Sequence, residues 1–391
     1  MKITVLCKYF SPRGGAQGFL LAFVRELLAD GHRVKVVTME ARGTLEGVEV
    51  QTLRLRPVFR TFRDLLFARA SRRVLEQERA DLTFAEQKVW GADVIRAGGG
   101  VQGAYLRQIV KSYPPGLLGR GRSLARRISL KERLSLHVER RLFNQFTPRA
   151  IIANSDMVRR ELLDWYPHLS DRVEVVYNGA DCERFTPELR RHRQQVRASL
   201  DIAESALVGA FVSKDLQRKG LPTVMRALSL LKQDGSRLPA YAIVVGPRKA
   251  WAARLARKLE VSDRVRFVGV EAPDRYYGAS DLAVLPSYYD ACANVTVEGL
   301  ACGLPVLTTV HNGGYEMLAP GLHGFYLEDA SDARQLAEHM QYYMDPDNMA
   351  RSRDAARELA LRYTFRGQYE RIMEVIARVA REKAGEAAKV E

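Results

Sequence analysis

The sequence predicts an α/β protein built from two doubly wound, Rossmann-like domains. Three observations carry that prediction. The chain has 391 residues, long for a single core, and this length favours two domains. Its beginning reads strand, Gly-rich loop, helix, strand, the opening of a parallel sheet. The same alternation restarts after "YNGADCERFTP", which begins at Tyr177. The Asn-Gly and Pro of that stretch mark an interdomain hinge.

Each element has its own reason. Ile3–Cys7 is a short apolar run before the Gly-rich loop. Phe19–Leu28 is helical by pattern, "ADGHRV" supplies a glycine stop, and Val34–Thr38 is the next strand. Further short strands are expected at Asp93–Arg96, Ala150–Ala153 and Val173–Tyr177. Beyond the hinge, strands are expected at Leu207–Val212, Ala242–Val245, Val265–Val268, Leu282–Leu285 and Val306–Thr309. Leu221–Leu231 and Val295–Cys302 read as helices between them, and Ala333–Tyr343 and Ala350–Ala384 as mostly helical. No internal repeat at solenoid periods is visible. Two such domains facing a central cleft bind ligands at the carboxyl ends of their strands.

Composition narrows the function classes. Lys plus Arg is 61 and Asp plus Glu is 46, a net charge of +15. Such a balance suits phosphorylated substrates, an anionic membrane surface or nucleic acid. Cys7, Cys182, Cys292 and Cys302 are scattered, with no C-x-x-C and no paired histidines. That spacing argues against zinc or a disulfide framework and fits a reducing compartment. The N-terminus reads directly as a strand, without the h-region of a signal peptide, and no apolar run is long enough to span a bilayer. A cytoplasmic protein is expected.

Four short stretches carry the chemistry. "YDACANVTVEGLACGLPV" sets Asp290 and Glu298 eight positions apart, separated mainly by small and apolar residues. Asp290 follows a strand, and Asn294 is the expected N-cap of the next helix. Backbone N–H groups at that helix start, from Asn294 and Val295, form an anion site. Glu298 in the first turn can also be a plain helix stabiliser, contributing about 0.3–1 kcal/mol. That reading leaves Asp290 and the small residues between unexplained. "VSKDLQRKGL" places Lys214, Arg218 and Lys219 at a strand-to-helix turn, where they can hold a diphosphate or simply be a solvated loop. "SPRGGAQG" puts Gly14 and Gly15 at the first βα turn, open to close approach of a phosphate. "HNGGYE" adds Gly313 and Gly314 after another strand.

In this order, these motifs resemble a retaining glycosyltransferase of family 4, with the GT-B fold. The D-x7-E spacing with "EGLACGLPVL" is specific, and the resemblance covers nearly the whole chain. "KYFSPRGGAQ", "DVIRAGGGV", "ERRLF", "RKGL" and "GLPVLTT" make it most similar to the lipopolysaccharide-core α-1,3-glucosyltransferase group. The resemblance implies an acceptor-side domain over 1–177, with the 365–391 helix packing back on it, and a nucleotide-sugar donor domain over 178–364. It implies that Glu298 accepts hydrogen bonds from the donor's ribose and that Asp290 faces the sugar. Arg218 and Lys219 would neutralise the diphosphate. Gly14, Gly15, Gly313 and Gly314 would approach the phosphates. A UDP-sugar donor, a glycan or glycolipid acceptor, and no metal or other cofactor follow from the same likeness.

The chain also departs from the pattern. Asp290 stands where the family usually has Glu, and Lys214 where it commonly has Arg, a charge that Arg218 is expected to supply. The related group often reads R-A-G-D-G-V-H; here Arg96–Gln102 reads R-A-G-G-G-V-Q, so no role of that loop carries over. "GGGVQG" at Gly98–Gly103 fits G-x-G-x-x-G but does not open the first βα unit, and no clear acid ends a following strand. It leaves an NAD-dependent oxidoreductase as the alternative. Asp345-Pro346-Asp347 fits a D-x-D metal pattern but reads as a turn.

One basic stretch remains, Gly119–Phe143. On a single helical wheel, Leu124, Ile128, Leu134, Val138 and Leu142 share a face, and Arg122, Arg126, Arg133 and Arg140 oppose it. The Arg122–Arg141 segment can lie on an anionic membrane, or dock on the first domain with its basic face solvated. A non-catalytic nucleic-acid or membrane-binding module is the further alternative. No helix-turn-helix, zinc or RNP-type pattern supports nucleic acid.

Overall fold

A computed structural model describes residues 1–11, 15–43, 45–53, 55, 60–77, 80–113 and 116–388. Gly14 lies outside the described residues. The chain divides into two units. One comprises Met1–Val110, Pro115–Tyr177 and Gln368–Glu391, the other Lys111–Pro114 and Asn178–Gly367.

The first unit holds β1 (Lys2–Phe10), β2 (Arg33–Ala41), β3 (Val48–Thr52), β4 (Leu82–Ala85), β5 (Val94–Arg96), β6 (Ala150–Ala153) and β7 (Val173–Val175). All pair in parallel, in the order β3-β2-β1-β4-β5-β6-β7. Ile3 sits opposite both Val34 and Leu82, and Val5 opposite Val36 and Phe84. Ile3, Val5, Val36, Leu82 and Phe84 are fully buried, as expected of a parallel sheet covered on both faces. β3 and β4 are additions to the sequence reading. β4 has four residues, too few for a period to show. From Gln368 onward the helix Phe365–Ala387 belongs to this unit. There Tyr369 Oη donates to Asp30 Oδ2 at 2.6 Å, and Arg149 holds Glu386 through two bonds of 2.9 and 2.6 Å.

The second unit holds β8 (Leu207–Val212), β9 (Ala240–Val245), β10 (Val265–Gly269), β11 (Leu282–Val284), β12 (Val306–Thr309) and β13 (Gly324–Leu327). These are also parallel, in the order β10-β9-β8-β11-β12-β13. Phe211, Leu221, Met225, Val244, Leu282 and Leu307 anchor its core. The strand order reverses between β8 and β11, the topological switch point where such sheets bind ligands.

Two sequence expectations change. The basic stretch is not one helix but two, Leu117–Ile128 and Leu130–Gln145, broken at Ser129. In the second, Val138 and Leu142 are buried while Arg133 and Arg140 are exposed, so that helix is docked with a solvated basic face. In the first, Leu124 and Ile128 are 60% and 66% exposed, so the single wheel joined two different environments. Asp345 is no turn residue but an N-cap. Its carboxylate accepts from the N–H groups of Asp347 and Asn348, both at 3.0 Å, at the start of the helix Pro346–Leu361. Pro346 fits there because its missing N–H is needed by no bond at a first helical position. Among the described residues no helix is long and apolar enough to cross a membrane, and no group of His, Cys, Asp or Glu is arranged to hold a metal ion.

Candidate functional site

In the second unit, three loops leave the carboxyl ends of β8, β11 and β12. The first carries Lys214, Arg218 and Lys219 and ends at Gly220, whose φ is 81°. A Cβ on Gly220 would lie 2.0 Å from the Pro286 carbonyl oxygen, so only glycine lets this loop press against the one after β11. The Tyr288 N–H donates to the Arg218 carbonyl at 2.9 Å and fastens the two together.

That contact puts both cations on one carboxylate. Arg218 Nη1 donates to the Tyr289 carbonyl at 2.7 Å and to Asp290 Oδ2 at 3.3 Å, while its Nε reaches Asp215 at 3.0 Å. The Lys219 ammonium is buried and in direct contact with the same Asp290 Oδ2. Burial, aided by the Arg218 charge, pushes the Lys219 pKa well down, against the nearby Asp215 charge. Among the described residues, no hydrogen bond reaches Asp290 Oδ1. Lys214 is exposed and makes no ion pair there.

The helix after β11 runs from Asn294 to Ala301. Its N-cap is Ala293, not Asn294, and no side chain caps it. Asn294 cannot serve because its Oδ1 accepts from Asn178 Nδ2 at 2.8 Å. The first N–H groups, from Asn294 and Val295, therefore have no intrahelical acceptor. Glu298 lies past the first turn, which contains no acid. The helix-dipole explanation of this acid fails accordingly, since that effect fades within one turn. Glu298 Oε2 accepts from Tyr277 Oη at 2.8 Å. Burial raises the Glu298 pKa, against the Tyr277 hydrogen bond and the Arg184 charge.

The third loop is fixed by Asn312, a fully buried residue that sequence reasoning missed. Its Oδ1 accepts from the Ala293 N–H at 2.9 Å, and its Nδ2 donates to Thr296 Oγ1 and Thr308 Oγ1 at 3.0 and 2.9 Å. The Asp290 N–H donates to the His311 carbonyl at 2.8 Å, and the Gly313 N–H to the Asp290 carbonyl at 3.0 Å. Gly313 and Gly314 are thereby held against the start of the Asn294 helix. A Cβ on Gly314 would meet Thr296 Oγ1 at 3.0 Å. Asn312 lies within "HNGG", and an asparagine before a glycine pair was its only local signal.

The structure thus gathers Arg218, Lys219, Asp290, Asn294, Val295, Gly313 and Gly314 around the ends of β8, β11 and β12, with Glu298 one turn further into its helix. Gly15 opens the helix Gly15–Ala29 in the first unit. Together these groups offer two cations, free backbone N–H donors and two carboxylates with unused acceptor capacity. That is equipment for an anion bearing hydroxyl groups.

Comparison with known proteins agrees with this equipment. Residues 192–359 match the family described as Glycosyl transferases group 1, and residues 13–184 match Glycosyltransferase Family 4. A D-inositol 3-phosphate glycosyltransferase from Nocardia farcinica is 33% identical over 189 residues, covering 44% of this chain and 41% of that protein. Its counterpart in Corynebacterium urealyticum is 28% identical over 236 residues, covering 58% and 55%. The chain spans about half the length of these curated relatives. WaaG, a glycosyltransferase involved in lipopolysaccharide biosynthesis, superposes with a TM-score of 0.81 at 23% identity, over 96% of this chain and 99% of WaaG. Anabaena HepE, solved with UDP-glucose, gives 0.70 at 19% identity, over 96% and 99%. With two parallel α/β units, these likenesses identify the fold as GT-B. None of them supports the nicotinamide reading of Gly98–Gly103.

Proposed function

We propose that the chain, whose two halves match the Glycosyltransferase Family 4 and Glycosyl transferases group 1 models, is a glycosyltransferase that moves a hexose from a UDP-sugar to a hydroxyl of a lipopolysaccharide-core or lipid-linked glycan. The observation that carries this reading is the meeting of Arg218, Lys219 and the uncapped Asn294 helix with Asp290 at the sheet switch point. Arg218, Lys219 and the N–H groups of Asn294 and Val295 bind the diphosphate, and Gly313 and Gly314 let it come close. Lys214 adds charge at the mouth of the loop. Glu298, oriented by Tyr277, accepts from the ribose hydroxyls. Asp290 anchors both cations through Oδ2 and offers Oδ1 to a sugar hydroxyl.

The chemistry follows from charge. As the glycosidic bond breaks, negative charge grows on the diphosphate and positive charge on the anomeric carbon. Fixed cations and helix N–H donors stabilise the former at no cost of reorganisation. The leaving phosphate oxygen takes the acceptor's proton on the same face, so the anomeric configuration is retained and no protein nucleophile is required. The D-inositol 3-phosphate glycosyltransferases among its relatives and the UDP-glucose bound by HepE support the general class of reaction. A thermal-shift screen tests the reading: UDP should raise the melting temperature in the presence of EDTA, and NAD should not. A shift with NAD alone, or one with UDP that requires a divalent metal, would overturn it.

The helix Leu117–Ile128 supports a membrane partner. Leu117, Leu124 and Ile128 are 86%, 60% and 66% exposed, beside exposed Arg120, Arg122 and Arg127. Apolar residues flanked by bases suit the surface of an anionic bilayer, each base contributing about 1 kcal/mol near the surface. The chain then works as a peripheral protein on the cytoplasmic face of a membrane, where a lipid-linked acceptor is presented.

A further inference from the structure

Asp281 immediately precedes β11 and Asp290 follows it, so the two carboxylates lie beyond opposite ends of one strand. Asp281 is 4% exposed and its oxygens are saturated. Oδ1 accepts from Arg193 Nη1 at 2.9 Å and from Arg353 Nη2 at 2.8 Å. Oδ2 accepts from Arg197 Nη2 at 2.7 Å and from the Val208 N–H at 2.9 Å. Three guanidinium groups thus converge on one carboxylate. Arg197 directs its remaining donors to the carbonyls of Ala203, Glu204, Ala206 and Ala279, and Arg193 reaches the Glu204 carboxylate.

A fourth arginine has no such partner. Arg190 lies one turn before Arg193, whose N–H donates to its carbonyl, in the 3-10 segment Pro187–His192. Gly278 holds that segment close, since a Cβ there would lie 2.0 Å from the Leu189 carbonyl oxygen and 3.2 Å from the Arg190 nitrogen. Among the described residues no hydrogen bond or ion pair reaches the half-buried Arg190 guanidinium. Arg190 Nη1 and Arg353 Nε are closed off from solvent, while Arg190 Nε and Nη2 and Arg353 Nη1 remain open. Four arginines therefore face two acids, Asp281 and Glu204. Burial and the charges of Arg353 and Arg193 lower the Arg190 pKa, with Asp281 and Glu204 opposing. Like charges gathered in a partly buried place repel, and a bound anion offsets that repulsion.

We propose that Arg190 and Arg353 form the mouth of a second anion site, which takes a phosphate group as inorganic phosphate or a phosphate monoester. The Nε–Nη2 edge of Arg190 is the fork that pairs with two phosphate oxygens, and Arg353 Nη1 adds a third donor. Arg193, held by Asp281 and Glu204, contributes charge from behind. The site lies at the other end of β11 from Arg218 and Lys219 and does not depend on the donor reading.

Isothermal titration calorimetry on the full chain tests this, with inorganic phosphate and glycerol 3-phosphate as probes. The wild type should bind at least one of them. Arg190→Gln should weaken that binding about tenfold or more. It removes no hydrogen bond within the chain, so it should not lower the melting temperature in phosphate-free buffer. Arg190→Lys keeps the charge without the fork and should fall between. Glu204→Gln removes the exposed acid and should tighten binding. Arg218→Gln should leave it unchanged, which separates this site from the donor loops. Absence of binding to the wild type, equal binding by Arg190→Gln, weaker binding by Glu204→Gln, or a signal lost with Arg218→Gln would each overturn the proposal.

Discussion

Replacing Glu298 by glutamine separates binding from stability. In the native site, Glu298 Oε2 accepts from the Tyr277 hydroxyl at 2.8 Å. A glutamine carbonyl can accept the same bond, so the side chain keeps its position. On the proposed ribose contact, what is lost is a charged acceptor for the donor's hydroxyls, a change of about 1.5–3 kcal/mol, or about 10- to 150-fold. The contact lies away from the reacting bond and persists from ground to transition state. It should therefore appear in KM for the donor, with kcat nearly unchanged. Stability should move the other way. Burial raises the Glu298 pKa above its unfolded value. Its contribution is then fullest below the unfolded pKa and is lost as pH rises through the folded one. Glutamine has no such dependence, so the variant should gain on the wild type as pH rises from acid to neutral. Steady-state kinetics with several UDP-sugars, paired with melting curves across that range, checks both signs. An unchanged donor KM refutes the ribose assignment, and a variant that loses stability relative to the wild type as pH rises refutes the raised Glu298 pKa.

Other perturbations follow from the same site. Lys219→Ala should lower donor affinity and turnover together, by tenfold or more in kcat/KM at about 1.4 kcal/mol per decade, since the ammonium serves ground and transition states; unchanged kinetics would remove it from the diphosphate site. Asp290→Asn should lower kcat more than it raises KM if its carboxylate, which fixes two cations, also faces the sugar as proposed; a pure KM effect in steady-state assays would point to binding alone. Leu124→Ser with Ile128→Ser, or Arg120, Arg122 and Arg127 changed to Gln, should each reduce sedimentation with anionic vesicles while sparing activity on a soluble acceptor. Vesicle binding equal to wild type would leave the Leu117–Ile128 helix without a membrane role.

The sequence by itself determined the alternation of strand and helix in both halves, and it singled out the short loops that the structure gathers at the ends of β8, β11 and β12. These are local signals. A parallel strand buried on both faces is an apolar run, a βα turn near a phosphate needs small residues, and the D-x7-E spacing survives in one dimension. Short pieces such as β4 were lost because four residues carry no period. The basic stretch was misjudged because a helical wheel cannot see Ser129 breaking the helix, nor that Val138 and Leu142 of the second half are buried while Leu124 and Ile128 of the first are exposed. Only the tertiary structure decided which groups meet. Gly220 against Pro286 brings Lys219 to Asp290 across 71 positions of sequence. Tyr277 reaches Glu298, and Asn312 binds two loops through one amide. Asn294 looked like a cap until Asn178 was found to occupy its oxygen. Asp281 and the arginines on it carried no signal at all. Arg193 and Arg353 are 160 positions apart, yet they meet on one oxygen of that carboxylate. Such contacts depend on sheet order and on burial, where an unpaired polar atom becomes costly. Neither is written in the spacing of residues along the chain.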